Sequence, residues 1–200
     1  NGSKKAPILT IFIGGNHEAS NYLRELYYGG WVAPHIYYLG NSGVIDLVSE
    51  SGEKLTLGGV SGIEQKFDYK KGLYEDIPLT QYGQMKSVFH YREYEIEKMK
   101  LFGEGVDIMM SHEWPRLVTS RQFLHPAQLK YLLQRKKHFK KDIQNEDLGA
   151  HCLDQLLWHL KPKQWFSGHL HIKFNSEIQL DDKITSFLAL DKPIVGKANR

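Results

Sequence analysis

Gln164-Trp165-Phe166-Ser167-Gly168-His169-Leu170-His171 is an apolar run that ends in a glycine and two histidines one residue apart. Side chains of an extended segment alternate, so His169 and His171 are expected on one side of it, a geometry suited to chelating a metal ion. Exposed strands carry such pairs by chance, and the pair alone decides little. Two other stretches repeat the setting. Gly14-Gly15-Asn16-His17-Glu18 follows Leu9-Thr10-Ile11-Phe12-Ile13, and Ser111-His112-Glu113 follows Val106-Asp107-Ile108-Met109-Met110. Three apolar runs thus each lead into a histidine-bearing turn.

Working outward, Leu9 to Ile13 reads as a buried strand and Ala19 to Tyr28 as a helix with Tyr22, Leu23 and Leu26 on its apolar face. Gly29 to Pro34 reads as a rigid aromatic connector. Ile36 to Leu39, Val44 to Val48 and Lys54 to Val60 read as strands of a meander. The spacing from Met85 to Phe102 predicts one amphipathic helix, ended by Gly103 and Gly105. Pro126 opens a long helix to about Ile143, and Leu153, Leu156, Leu157 and Leu160 lie at core spacing in another. Gln164 to Gly168, Ile172 to Ile178 and Thr185 to Ala189 read as closing strands. The pattern is mixed α/β with strands leading into helices and added hairpins. No composition shift divides the chain, so one domain over 1–200 is expected.

With 41% hydrophobic and 24% charged residues in 200, the composition is that of an ordinary soluble domain. No apolar run approaches the roughly 20 residues that span a bilayer, so no membrane partner is expected. The single cysteine, Cys152, excludes an internal disulfide and fits a reducing compartment, cytosol or nucleus. It reads as a small core residue. A net charge of +3 is too small to imply a polyanionic partner, which leaves local clusters. Arg135, Lys136, Lys137, Lys140 and Lys141 read most simply as a solvated helix face. Lys66, Lys70 and Lys71, interleaved with Phe67, Tyr69 and Tyr74 in an aperiodic stretch from Gly62, suit stacking on bases and pairing with phosphates.

If the three turns converge, they bring together Asn16, His17, His112, His169 and His171. Imidazoles with one amide oxygen suit zinc, iron, manganese or nickel better than calcium or magnesium. Two such ions close together serve phosphoester hydrolysis, and a spare histidine can protonate the leaving oxygen. Two cations also call for a bridging carboxylate, and no turn offers an obvious one. Glu18 and Glu113 could instead orient an imidazole through its far nitrogen, or Glu18 could serve as an acid at a helix N-terminus.

These motifs, in this order, resemble the last three metal motifs of the calcineurin-like metallophosphoesterases, and within them the RNA lariat debranching enzymes. The likeness extends to Gly29-Gly30-Trp31-Val32-Ala33-Pro34, Ile36-Tyr37-Tyr38-Leu39-Gly40, Ser61-Gly62-Ile63 to Asp68-Tyr69-Lys70-Lys71-Gly72, Ser111 to Arg116, Trp165 to Phe174, and Phe187-Leu188-Ala189-Leu190-Asp191-Lys192. It covers the chain from about Ile8 to Pro193.

The resemblance implies a two-sheet sandwich flanked by helices, with two divalent transition metals (Fe2+, Zn2+ or Mn2+). Asn16, His112 and His169 would hold one ion and His171 the other, while His17 would contact the scissile phosphate and protonate the leaving hydroxyl. The 62–83 stretch would be a lariat-recognition loop, with Lys66, Tyr69, Lys70 and Lys71 on the RNA. The implied activity is hydrolysis of the 2′,5′-phosphodiester at the branch of lariat RNA, in the nucleus. The alternatives are another two-metal phosphoesterase, acting on nucleotides, DNA or phosphoproteins, or a metal-free scaffold. His35 stands where the family has asparagine. The family's first strand, bearing cysteine or aspartate then histidine, and its bridging aspartate are both lacking from these 200 residues. The expectation is therefore a C-terminal part of a catalytic domain, with its N-terminal strands missing from this chain. An N-terminal segment of the same protein would complete the metal site, and the part alone would bind one metal weakly and catalyse poorly.

Overall fold

A computed structural model describes residues 4–193. Asn1 to Ser3, at the start of the polar opening stretch, lie outside the described residues, as do positions 194–200. Among the described residues nine strands form two sheets. The smaller has the order β1-β3-β2 and the larger β4-β5-β6-β7-β9-β8. In chain order the strands are β1 (Thr10–Phe12), β2 (Gly30–Ala33), β3 (Ile36–Tyr38), β4 (Ser42–Val48), β5 (Lys54–Val60), β6 (Ile108–Ser111), β7 (Gln164–Ser167), β8 (Phe174–Leu180) and β9 (Lys183–Ala189). The helices are α1 (Ser20–Glu25), α2 (Lys66–Tyr69), α3 (Tyr82–Ser87), α4 (Glu93–Lys100), α5 (Pro126–Arg135), α6 (Phe139–Gln144) and α7 (His151–Leu160).

The centre of the large sheet is parallel: β5, β6, β7 and β9 run the same way, with Ser111 level with Ser167 and Ser167 with Ala189. Parallel strands emit their loops from one edge, so the segments after β5, β6 and β7 leave together. Hairpins β4–β5 and β8–β9 close the two flanks. In β8, Phe174, Ser176, Ile178 and Leu180 point inward while Asn175, Glu177 and Gln179 face water, the period of a half-buried strand.

The two sheets meet at β5. A side chain on Gly59 would begin 2.6 Å from Ile13 and 2.8 Å from Leu39, so only glycine permits this approach. On the other side the core gathers Trp114, Trp165, Phe174 and Phe187 under α7, whose Leu153, Leu156, Leu157 and Leu160 are all buried as their spacing predicts. Cys152 is buried among them.

Several elements differ from the expectation. β1 is not a buried strand: among the described residues it pairs only with β3, and Ile8 and Leu9 beside it are exposed. The connector Gly30–Ala33 is strand β2, paired antiparallel with β3. The single helix expected over 85–102 is two, α3 and α4. The backbone between them leaves the helix so that Ile63 N–H can donate to Phe89 O (3.0 Å) and Tyr91 N–H to Ile63 O (2.8 Å). The long helix from Pro126 also breaks, at Lys136, although no proline or glycine stands there. The aperiodic 62–83 stretch contains the single-turn α2 and the beginning of α3.

Candidate metal centre

The three histidine-bearing turns come together. Asn16 and His17 follow β1, His112 follows β6 and His169 follows β7. The turn after β1 is closed by Glu18, whose carboxylate accepts the Gly15 N–H (3.0 Å). Glu18 therefore shapes the turn and neither orients an imidazole nor sits within α1. The turns after β6 and β7 are tied by the Gly168 N–H donating to His112 O (3.0 Å). Beneath them, Ser111 and Ser167 both donate to Glu113 O (2.6 and 3.0 Å). The Trp165 indole donates to Ser111 Oγ (2.8 Å), and the Trp114 indole to Gly168 O (2.9 Å). Two buried tryptophans thus fix the level at which the histidines emerge.

His112 Nε2 lies 3.0 Å from Asn16 Oδ1 and 3.1 Å from His169 Nδ1. Three Lewis-base atoms facing one another leave more lone pairs than protons to share. Donors about 2.1 Å from one ion lie about 3 Å apart in adjacent octahedral positions, so this trio fits a transition metal. Burial, reinforced by His169, His17 and His171 nearby, lowers the His112 pKa to about 4, which keeps the ring in its neutral, metal-binding form. Burial, with His171 and His17 nearby, lowers the His169 pKa too.

The rest of the expected cluster stands apart. Among the described residues no three His, Cys, Asp or Glu side chains are placed to hold one ion. His17 and His171 are exposed, near enough to the trio to influence it electrostatically but not hydrogen-bonded to it. The shared strand face expected for His169 and His171 is also absent. β7 ends at Ser167, and both histidines adopt left-handed backbone (φ 59° and 51°), so they project from a turn. Non-glycine residues in that region carry strain that the surroundings must hold in place.

Glu113 was read in sequence as a candidate orienting acid, and its carboxylate lies 3.7 Å from His169 Nε2. It also accepts the Glu64 N–H (2.5 Å), and burial pushes its pKa up to about 7. Glu64 in turn accepts the His151 and Cys152 N–H groups (2.9 and 3.0 Å), capping α7. A second anchor is Asp68, buried in α2. It meets His90 Nδ1 (2.7 Å) and accepts from Lys71 Nζ (2.8 Å) and Ser87 Oγ (3.3 Å). Burial opposes the charge of Asp68, but the bonds from Lys71 and His90 outweigh it and hold the carboxyl below its ordinary value. Arg92, itself buried, donates to Glu75 (2.8 Å). No spacing signal announces Glu64, Asp68, Glu75, His90 or Arg92, because their partners lie far away in sequence.

Of the residues expected on RNA, Lys66, Lys70 and Lys71 are exposed and Tyr69 is half-buried against the core. Lys66 pairs with Asp147 (3.5 Å) and Lys71 with Asp68. Between α1 and α3 lies a cavity of about 790 Å³ that opens onto Asn16 and His17.

Two sheets with flanking helices, and an asparagine–histidine trio at the ends of their strands, define an α/β domain of the metallophosphoesterase type. No family model matches the chain. It is 46% identical over 198 residues to the lariat debranching enzyme of Homo sapiens, covering 96% of this chain and 34% of that protein. It is 46% identical to that of Schizosaccharomyces pombe over 178 residues, 89% of this chain and 36% of that protein. To that of Arabidopsis thaliana it is 43% identical over 198 residues, 98% and 45% respectively. Over the stretch it shares with them the chain is similar to these lariat debranching enzymes, and it spans between a third and a half of their length.

Proposed function

We propose that the protein containing this chain hydrolyses the 2′,5′-phosphodiester at the branch point of lariat RNA, acting in the nucleus. The reading is carried by the trio of Asn16, His112 and His169 at the strand ends, with His17 on the rim of the adjoining cavity. The names of the relatives support the substrate.

In this reading Asn16, His112 and His169 hold one divalent transition metal and His171 contributes to a second, the pair being drawn from Fe2+, Zn2+ or Mn2+. Bound there, such ions supply a water acidic enough to attack phosphorus at neutral pH and neutralise charge on the phosphoryl oxygens. His17 contacts the scissile phosphate and gives its proton to the leaving 2′ oxygen, which an exposed imidazole beside the trio can reach. Lys66, Tyr69, Lys70 and Lys71 bear on the RNA around the branch. In this reading a carboxylate from an N-terminal segment of the same protein would bridge the two ions.

The test is to incubate the full-length protein with 2′,5′-branched RNA and with linear 3′,5′ RNA of the same composition. Cleavage confined to the branch supports the reading. Equal cleavage of both makes the protein a general phosphodiesterase.

A further inference from the structure

The basic run at the junction of α5 and α6 takes no part in the metal centre. Between Pro126 and Gln144 stand Lys130, Arg135, Lys136, Lys137, Lys140 and Lys141 against one acid, Asp142. Apart from half-buried Lys136 these cations are exposed, and among the described residues none of them meets a carboxylate. Elsewhere in the domain Lys54, Lys98, Lys161 and Lys183 each do. Fold stability does not account for the cluster. Lys140 and Lys141 occupy the first turn of α6, where the helix dipole disfavours a cation. Like charges gathered in one run also repel. The junction is nonetheless held in place, because Leu132 and Phe139 on either side of it are buried.

The junction lies on the His171 side of the site. The Tyr131 hydroxyl donates to Lys173 O (3.0 Å) and Gln128 Nε2 to Asn175 O (2.9 Å), which ties α5 to the chain just after His171. What burial His171 has lowers its pKa, and Lys192 and Lys136 lower it further, so both ammonium groups stand within electrostatic reach of that ring. At the opposite end the run gives way to Asp142, Glu146 and Asp147, the last already paired with Lys66. A polyanion is therefore drawn to the junction from His171 and turned back before it reaches the 62–83 stretch.

We propose that the α5–α6 junction binds the phosphate backbone of a single-stranded RNA arm that leaves the site past His171, through Lys136, Lys137, Lys140 and Lys141. This surface is separate from the cavity between α1 and α3 and from the Lys66–Lys71 loop, and it replaces the solvated helix face read from the sequence. Contacts to phosphate carry no base information, so the surface lengthens the grip on RNA without reading its sequence. The inference rests on the nucleic-acid reading above and adds to it a dependence on arm length.

The experiment is fluorescence anisotropy on the metal-loaded full-length protein with RNAs that share one non-hydrolysable branch. One is trimmed to the nucleotides at the branch, and the others have one arm at a time extended to about ten nucleotides, within the span of known single-strand sites. At least one extended arm is expected to tighten binding about tenfold, whatever its sequence. Lys137→Ala, Lys140→Ala and Lys141→Ala together, all at exposed positions, should abolish that gain and lower the slope of log K against log salt by about two for the extended RNA. The trimmed RNA should bind as before, and arginine at the same three positions should keep the gain. Equal weakening of trimmed and extended RNA overturns the proposal. So does a gain and slope left unchanged, the result expected if the junction is merely solvated or faces an acidic protein, and so does the lack of a gain from any arm. Debranching with no effect of arm length removes this inference alone. A gain that vanishes in the alanine variant of a protein unable to debranch removes only the reading above.

Discussion

The His112 ring occupies the space in which a side chain on Gly15 would begin, 2.6 Å from the position of a Cβ there. The turn after β1 can approach the turn after β6 only because residue 15 has no side chain. Gly15→Ala should push the imidazole off Asn16 and His169 while leaving the sheets in place. Metal per mole of full-length protein, measured by elemental analysis, is expected to fall at least tenfold, with an unchanged circular dichroism spectrum.

His17 stands outside the trio, so its loss should separate holding from turning over. His17→Ala is expected to keep metal content and affinity for branched RNA while kcat falls by about 100-fold or more, the usual worth of a general acid. Wild-type turnover in that variant removes His17 from the chemistry.

Lys70 is exposed and makes no ion pair among the described residues, whereas Lys71 already pairs with Asp68. Replacing both with alanine should weaken binding of branched RNA and lower the slope of log K against log salt by about one to two. Lys70→Ala alone should account for most of the change. An unaltered salt slope counts against contact between this stretch and phosphate.

The Asp68 anchor has a pH dependence whose sign follows from its lowered pKa. The unfolded carboxyl titrates near pH 4, roughly, and the folded one below it. The anchor's contribution is therefore complete above that pH and lost as pH falls through the folded value. Lys71, His90 and Ser87 face the same carboxylate. Arg92, just before α4, adds attraction, and Glu75 is its own partner. Amide exchange over Lys66–Tyr69, corrected for its intrinsic rate, should accelerate as pH falls below about 4. Asp68→Asn should show the fast exchange at every pH, with a stability loss of about 1–3 kcal/mol.

Chelation tests the proposed metal. Full-length protein stripped of metal should lose debranching activity and unfold at lower temperature, since an ion bound only by the folded state stabilises it. Returning Mn2+, Zn2+ or Fe2+ one at a time identifies which restores each property.

The turns were legible because chemistry and local pattern coincide there: Asn16, His112 and His169 each stand just past an apolar run, and the strands before His112 and His169 run parallel. The backbone at His169 and His171 was not legible, since nothing in Gly168-His169-Leu170-His171 distinguishes a left-handed turn from a continuing strand. The break after Ser87 was hidden for another reason. Its cause is a bond to Ile63, some 25 residues earlier, and helical periodicity says nothing about a partner so far away. The same holds for His90 with Asp68 and for Glu113 with Glu64, pairs whose residues look unremarkable until the fold joins them.

The Glu64–Glu113 contact also governs how this stretch can change in length. The amide of Glu64 is held by the residue next to His112, and its carboxylate holds the start of α7. Four residues on, Asp68 is fixed again. A single insertion between Ile63 and Asp68 would put the wrong residue at one anchor or the other, so that segment tolerates none. Past Gly72, Tyr74 and Asp76 to Pro78 are exposed, and Glu75 is the only anchored residue between them. Gains and losses of residues among relatives should collect there.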